Sequence, residues 1–234
     1  MNNLEKIVLL NWYIDESIDF VLENNRKKYP SDELFGIDHD SARIKTDLSD
    51  IKTVQDLIKC IDQCEISDLK TYSKYTHLHQ GSLNPEVLIV NDYPYSDEED
   101  RSNNILTEDC KELLVNMLGA INIDLEKNSI INTFFWRTPG DRRPTVDEID
   151  KCRPFFHKII ELLEPKYIIS LGDLALSALM DDEISFIDLR GKAQFNSRID
   201  IPIFPIFHPR VLIKQLSLKR LAWEDLKIIA NEIK

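Results

Sequence analysis

Long apolar runs, cysteine and positive charge are all scarce in this 234-residue sequence, and each shortage excludes something. No run approaches the ~20 consecutive apolar residues that span a bilayer, so no membrane partner is expected. The segment Ile7-Val8-Leu9-Leu10 is too short for a signal-peptide core and soon meets Asp15 and Glu16, which points to the cytoplasm. Four cysteines in a chain of this length do not read as a disulfide scaffold. Cys60 and Cys64 lie close together, while Cys110 and Cys152 are scattered, as expected of thiols in a reducing compartment. Lys and Arg number 29 against 41 Asp and Glu, a net charge of −12. That balance argues against bulk affinity for nucleic acid, because neutralising phosphates takes cations.

The deficit is local. Residues 1–124 carry 12 basic against 25 acidic side chains, whereas residues 125–234 carry 17 against 16. A basic groove therefore remains available in the back half, and the acidic front half suits a protein partner.

What is present reads as one α/β domain with an N-terminal addition. Apolar positions at helical spacing (Leu4, Ile7, Val8, Trp12, Ile18, Phe20, Val21) predict an amphipathic helix over 3–24, followed by a polar linker to Ser49. The expected division is 1–50 for helix and linker and 51–234 for the α/β domain, which opens with a short helix over 52–63. From Pro85 onward, short apolar runs alternate with helical patterns. The runs Val87–Val90, Ile130–Phe134, Tyr167–Leu171 and Ile203–Ile206 predict strands buried on both faces. Helices are predicted at 107–121, 146–163, 173–180 and 217–233. This order predicts a three-layer α/β/α arrangement around a four-stranded parallel sheet. In such sheets ligands bind beyond the carboxyl ends of the strands, which here carry Asn91-Asp92, Asn132, Gly172 and Phe207-His208.

Asp92, Asn132 and His208 thus converge on one edge. Each alone has an ordinary explanation, as a turn cap, a loop filler or a hydrogen-bonded histidine before proline; at three of the four strand ends together they describe a site. After Asn132 comes Thr133-Phe134-Phe135-Trp136-Arg137-Thr138-Pro139-Gly140-Asp141-Arg142-Arg143-Pro144, a turn dense with arginine. One carboxamide beside a loop of guanidinium groups suits a polar planar ring attached to something anionic. Arg137, Arg142, Arg143 and Arg210 are the candidate phosphate contacts, with Lys214, Lys219 and Arg220 nearby. Paired histidines at 77 and 79 have no third ligand close in sequence, so no metal is assigned.

These residues resemble the uracil-DNA glycosylase superfamily, and within it the family 4 enzymes, from about Pro85 to Ile229. The segment Asn132 to Pro144 is similar to the family's strand-Asn and Arg-Pro-Pro-Gly-Asn-Arg-x-Pro. Further similarity lies in Cys152-Arg153-Pro154-Phe155-Phe156, Pro165 to Gly172, and His208-Pro209-Arg210-Val211-Leu212. The resemblance implies a DNA base-excision hydrolase acting on uracil or another deaminated base, in single- or double-stranded DNA. In it Asn132 reads the edge of a flipped-out base, His208 stabilises the departing anion and Asp92 supplies the carboxylate. Pro94, Tyr95 and Leu106 fall where the family lines the base pocket.

The family's first motif, of the type Gly-Glu-Ala-Pro-Gly, is Asn91-Asp92-Tyr93-Pro94-Tyr95 here. Both glycines are replaced, which restricts close backbone approach and positive φ, and Leu106 offers no π face. Family 4 enzymes commonly hold a 4Fe-4S cluster on four cysteines. Trp136 stands in one ligand position, and Cys60 and Cys64 are separated by three residues rather than two. At most three thiolates remain, so no cofactor is expected and the chain resembles a cluster-less subgroup. Three functions stay open: a uracil-DNA glycosylase, a glycosylase of altered base preference, or a catalytically impaired relative serving as a nucleic-acid or protein interaction module.

Overall fold

The structure is a computed structural model, and residues 48–64, 67–180, 185–196 and 198–233 are described. The chain divides into two units, 1–46 and 47–234, and every described residue belongs to the second. The helix expected over 3–24 lies outside the described residues, as does nearly all of the linker.

The first helix, α1 (Val54–Gln63), starts where the Thr53 hydroxyl accepts from the Asp56 amide, and it buries Val54, Leu57 and Ile61 at helical spacing. Then follow β1 (His79–Gly81), β2 (Val87–Asn91), α2 (Asp97–Ser102), α3 (Glu108–Gly119) and β3 (Ser129–Asn132). The remainder is α4 (Val146–Leu163), β4 (Tyr167–Leu171), α5 (Gly172–Leu179), α6 (Phe186–Leu189), β5 (Ile203–Ile206), α7 (Pro209–Lys214) and α8 (Lys219–Glu232). No described helix is long and apolar enough to cross a membrane.

The strands form one sheet in the order β1-β3-β2-β4-β5. Strands β3, β2, β4 and β5 run parallel, and β1 pairs antiparallel with β3. Every residue of β2, β3 and β5 is buried, which is why these segments read as unbroken apolar runs. Among the described residues the sheet therefore has five strands, not four, and is mixed rather than wholly parallel, so the expected three-layer, four-stranded arrangement is not matched in full. The added strand, His79-Gln80-Gly81, is three polar or small residues at an edge and carries no hydrophobic signature. Gly81 is required there: its φ is 110°, and a Cβ would come within 2.3 Å of the Asn128 carbonyl oxygen.

Two further differences matter for the site. The strand expected to reach Phe134 stops at Asn132, because the next amides leave the ladder. Thr133 N–H donates to the carbonyls of Asn91 and Asp92, and Phe134 N–H donates to that of Asp92, each at 3.1 Å. The acidic run after Tyr95 also folds, as α2, through a capping box in which the Ser96 side chain and Glu99 satisfy each other's backbone amides.

Candidate active site

The register of the sheet pairs Asn91 with Asn132, so adjacent parallel strands end on two neighbouring carboxamides. His208, just beyond β5 on the far side of β4, completes the edge. All three side chains are buried.

Their hydrogen bonds have one possible polarity. Asn132 Nδ2 donates to the His77 carbonyl at 2.9 Å. A carbonyl only accepts, so the Asn132 oxygen must face the other way, where it accepts from Asn91 Nδ2 at 2.7 Å. That leaves the Asn91 oxygen 2.7 Å from His208 Nε2. The other ring nitrogen of His208, Nδ1, accepts from the Arg210 amide at 3.0 Å at the start of α7. Nε2 therefore carries the proton and donates to Asn91. The result is a relay, His208 to Asn91 to Asn132 to the His77 carbonyl.

Asp92 sits beside the relay. One carboxylate oxygen accepts from the Tyr93 amide at 2.7 Å and lies 3.5 Å from His208 Nε2, while the other is paired with the Arg210 guanidinium. Burial by itself would raise the Asp92 pKa, but the Arg210 charge and then His208 hold it well below the usual carboxylate range. The Arg210 guanidinium also lies 4.3 Å from the Tyr95 ring centroid and 5.4 Å from that of Tyr93. Burial, and then the Asp92 charge, push the Tyr93 hydroxyl well above the ordinary phenol range. Glu99 is buried nearby; burial lifts it to about 7, against the opposing pull of the Ser96 and Tyr95 amides that donate to it at 2.7 and 2.6 Å.

The structure thus brings together Asp92, Asn132, His208, Arg210 and Tyr95. Pro94 and Leu106 are buried, and the carbonyl of Ile105, next to Leu106, lies 3.4 Å from Asn91 Nδ2. Tyr95 presents one ring face to Arg210. Asn91 and Tyr95, where the resemblance would have glycines, both have negative φ, so neither carries a left-handed backbone. Gly172, at the end of β4, does have positive φ, and a Cβ there would come 3.4 Å from the His208 Cβ.

The arginine loop is fastened to helix starts. Arg137 reaches Asp97 at 2.8 Å and Asp141 at 2.7 Å. Arg142 grips Glu148 with two hydrogen bonds, at 2.8 and 2.6 Å, and Arg143 meets Asp173 at 3.2 Å. Asp97, Glu148 and Asp173 occupy the first turns of α2, α4 and α5, where negative charge also complements the helix dipole. The bond from Arg142, outweighing partial burial, draws Glu148 down to about 2.

The cysteines do not fit a four-thiolate cluster. Cys60 and Cys64 place their sulfurs 3.8 Å apart at the end of α1, and burial, with Cys64 beside it, raises the Cys60 thiol to about 11. Cys152 is fully buried, with its thiol pushed far upward by that burial. Cys110 is buried on α3, and Trp136, which the resemblance sets against a ligand position, is buried with its indole N–H donating to Thr76 at 3.3 Å and has no donor atom for iron. Among the described residues no group of three His, Cys, Asp or Glu is placed to hold a metal.

Sequence reasoning treated Asn91 only as a backbone restriction and did not single out its side chain. A polar residue facing Asn132 across a parallel pair was the available signal. The His77 carbonyl, which orients Asn132 across 55 residues, had none. Glu99 carried a weak signal, as the fourth residue of a Ser-x-x-Glu capping box.

A family model described as the Uracil DNA glycosylase superfamily matches residues 78–227. The chain is 30% identical to the type-4 uracil-DNA glycosylase of Thermotoga maritima over 162 residues, covering 66% of this chain and 81% of that protein. It is 27% identical to the type-4 enzyme of Archaeoglobus fulgidus over 188 residues, covering 77% of this chain and 94% of that protein. A DNA polymerase of Bacillus phage SP01 is 29% identical over 168 residues; these are 71% of this chain but only 18% of the polymerase. With a match spanning the strand-end site and the helices around it, the chain belongs to the uracil-DNA glycosylase superfamily.

Proposed function

We propose that this protein extrudes a deaminated base, uracil first among them, from DNA and hydrolyses its N-glycosidic bond. The carrying observation is the pair of groups that meet at the strand ends. Asn132 offers an oriented carbonyl oxygen, and His208 offers an Nε2 proton. What they hold between them is an amide, the Asn91 O=C–N–H. A uracil ring displays that same sequence of atoms at O2, C2 and N3–H, so the pair is matched to an imide edge.

Cleavage of such a base moves the C1′–N1 electron pair onto the ring, where it gathers on O2, and leaves a cationic sugar for water to attack. A proton held on His208 Nε2 then strengthens its hydrogen bond to O2 as negative charge develops. Asp92, kept ionised by Arg210, has too little proton affinity to act as a strong base. Its role is a fixed negative charge that orients water and steadies the sugar cation. The arginine loop beside the site supplies contacts to the DNA backbone once its carboxylate partners are exchanged for phosphate.

A second reading draws on the same residues. Arg137, Arg142, Arg143 and Arg210 each already pair with a carboxylate, and an interaction module with no chemistry would show this too.

Base release from oligonucleotides carrying uracil, hypoxanthine or xanthine, single- and double-stranded, separates the two. The glycosylase reading expects uracil release that falls by about 100-fold or more in Asn132→Ala and in His208→Ala. Identical background in the parent and both variants favours the interaction module.

A further inference from the structure

Beyond the hydrogen-bonding pair itself, the structure shows what fills it. Asn91 is not a spectator at the strand end. Its Nδ2 donates to the Asn132 oxygen and its Oδ1 accepts from His208 Nε2, both at 2.7 Å. These are the two bonds through which an imide edge would be read. The amide is anchored further by the Ile105 carbonyl, 3.4 Å from Nδ2, and by its own backbone, whose carbonyl accepts from Thr133. Asn91 is 1% exposed and Asn132 is fully buried, so no layer of bulk water separates the three side chains.

We propose that Asn91 is a built-in occupant of the base-reading position: its carboxamide stands in for the O=C–N–H edge of a uracil-type ring, and any such base must displace it. The proposal rests on the base-reading role assigned to Asn132 and His208. The ligand class concerned is a ring with a carbonyl adjacent to a ring N–H, and Asn91 is the residue with which such a ring competes. Entry of a base exchanges two internal hydrogen bonds for two equivalent ones. The displaced amide must find new partners, and the space it filled must widen to take a ring. Both demands lower affinity for the base, and both vanish when the side chain is removed.

The test uses the full-length protein and free uracil, with binding followed by calorimetry. Asn91→Gly and Asn91→Ala are each expected to bind uracil at least about tenfold more tightly than the parent. The gain is expected to disappear when Asn132→Ala is added. A merely structural role for Asn91 predicts the opposite, because loosening the strand end weakens binding. The proposal is overturned if both variants, shown to be folded by circular dichroism, bind uracil no more tightly than the parent.

A measurement on the unsubstituted protein keeps the question open to refutation if the variants misfold. Nitrogen-15 spectra must show His208 protonated on Nε2, with that proton slow to exchange. A bare Nε2 would remove the bond to Asn91 and the proposal with it. Uracil release from an oligonucleotide, run in parallel, separates this inference from the glycosylase reading. Tighter uracil binding without release by any variant leaves Asn91 as the occupant and removes the enzyme. Release by the parent that neither variant exceeds, with no gain in binding, leaves the enzyme and removes the occupant.

Discussion

At the strand ends, Asp92 and Arg210 meet with side chains 11% and 14% exposed, beside the buried carboxamides of Asn91 and Asn132. In the nearby loop, Arg142 and Arg143 meet Glu148 and Asp173 with the arginine side chains 43% and 47% exposed and the carboxylate side chains 16% and 33%. Both regions consist of arginine–carboxylate pairs, yet the physics differs. A buried pair that loses one member strands a charge in a medium that cannot solvate it. An exposed pair that loses one member hands the other back to water. The first arrangement fixes geometry; the second can trade its carboxylates for another anion at little cost. On the proposed function, a site that holds a base in one orientation while accepting varied backbone phosphates would use one region of each kind.

The largest expected effect breaks the buried side of this comparison. Arg210→Ala should destabilise the fold by ~3–5 kcal/mol in chemical denaturation, because Asp92 is left charged and buried. A loss below ~1 kcal/mol would mean that the strand-end pair is screened like the loop pairs, and the contrast would collapse.

A smaller effect concerns Glu99, whose folded pKa of about 7 exceeds the ordinary value of 4.5. Between those pH values the folded chain keeps a proton that the unfolded chain has released, so the Glu99 contribution falls as pH rises through 7. The penalty above pH 7 is on the order of 3 kcal/mol, from about 2.5 pKa units at about 1.4 kcal/mol each. Burial depresses His77 and His79, which titrate in the opposite sense, so the comparison must be made against a variant. Melting temperature followed from pH 5 to 8 should fall less steeply in Glu99→Gln than in the parent. Parallel curves would show that Glu99 is not protonated in the fold. Asp92, with its lowered pKa, adds stability above the ordinary carboxylate range and loses it only as pH drops below that range.

The smallest effect tests the exposed side. Arg142→Ala and Arg143→Ala should each change stability by only ~0–1 kcal/mol. If the loop trades carboxylate for phosphate, each should also reduce by about one the slope of log affinity for DNA against log salt. A large loss of stability with an unchanged slope would identify the loop as a structural clamp instead.

Much of this architecture was legible before the structure. Val87–Val90, Tyr167–Leu171 and Ile203–Ile206 were recognisable as strands because a strand buried on both faces needs an unbroken apolar run. Asn132 and His208 stood out because polar residues closing such runs lie at the edge where parallel sheets bind ligands. The capping boxes at Ser96 and Thr145 are likewise written locally, within four residues. His79–Gly81 was not legible, since three residues at an edge need no apolar face. The pairing of Arg137 with Asp97, 40 residues away, was equally hidden.

The sequence by itself determined the four parallel strands and the polar groups that stand near their ends, because a strand buried on both faces needs a local apolar run; the edge strand at His79–Gly81 and the stop of β3 at Asn132 depended on pairing in space. Only the tertiary structure decided what those groups hold. Asn91 meets Asn132 across 41 residues and His208 across 117, and the His77 carbonyl sets the direction of the relay from a third place in the chain. A carboxamide can donate or accept on either side. Until its neighbours are fixed in space, nothing in the residue itself says whether it will read a base or take its place.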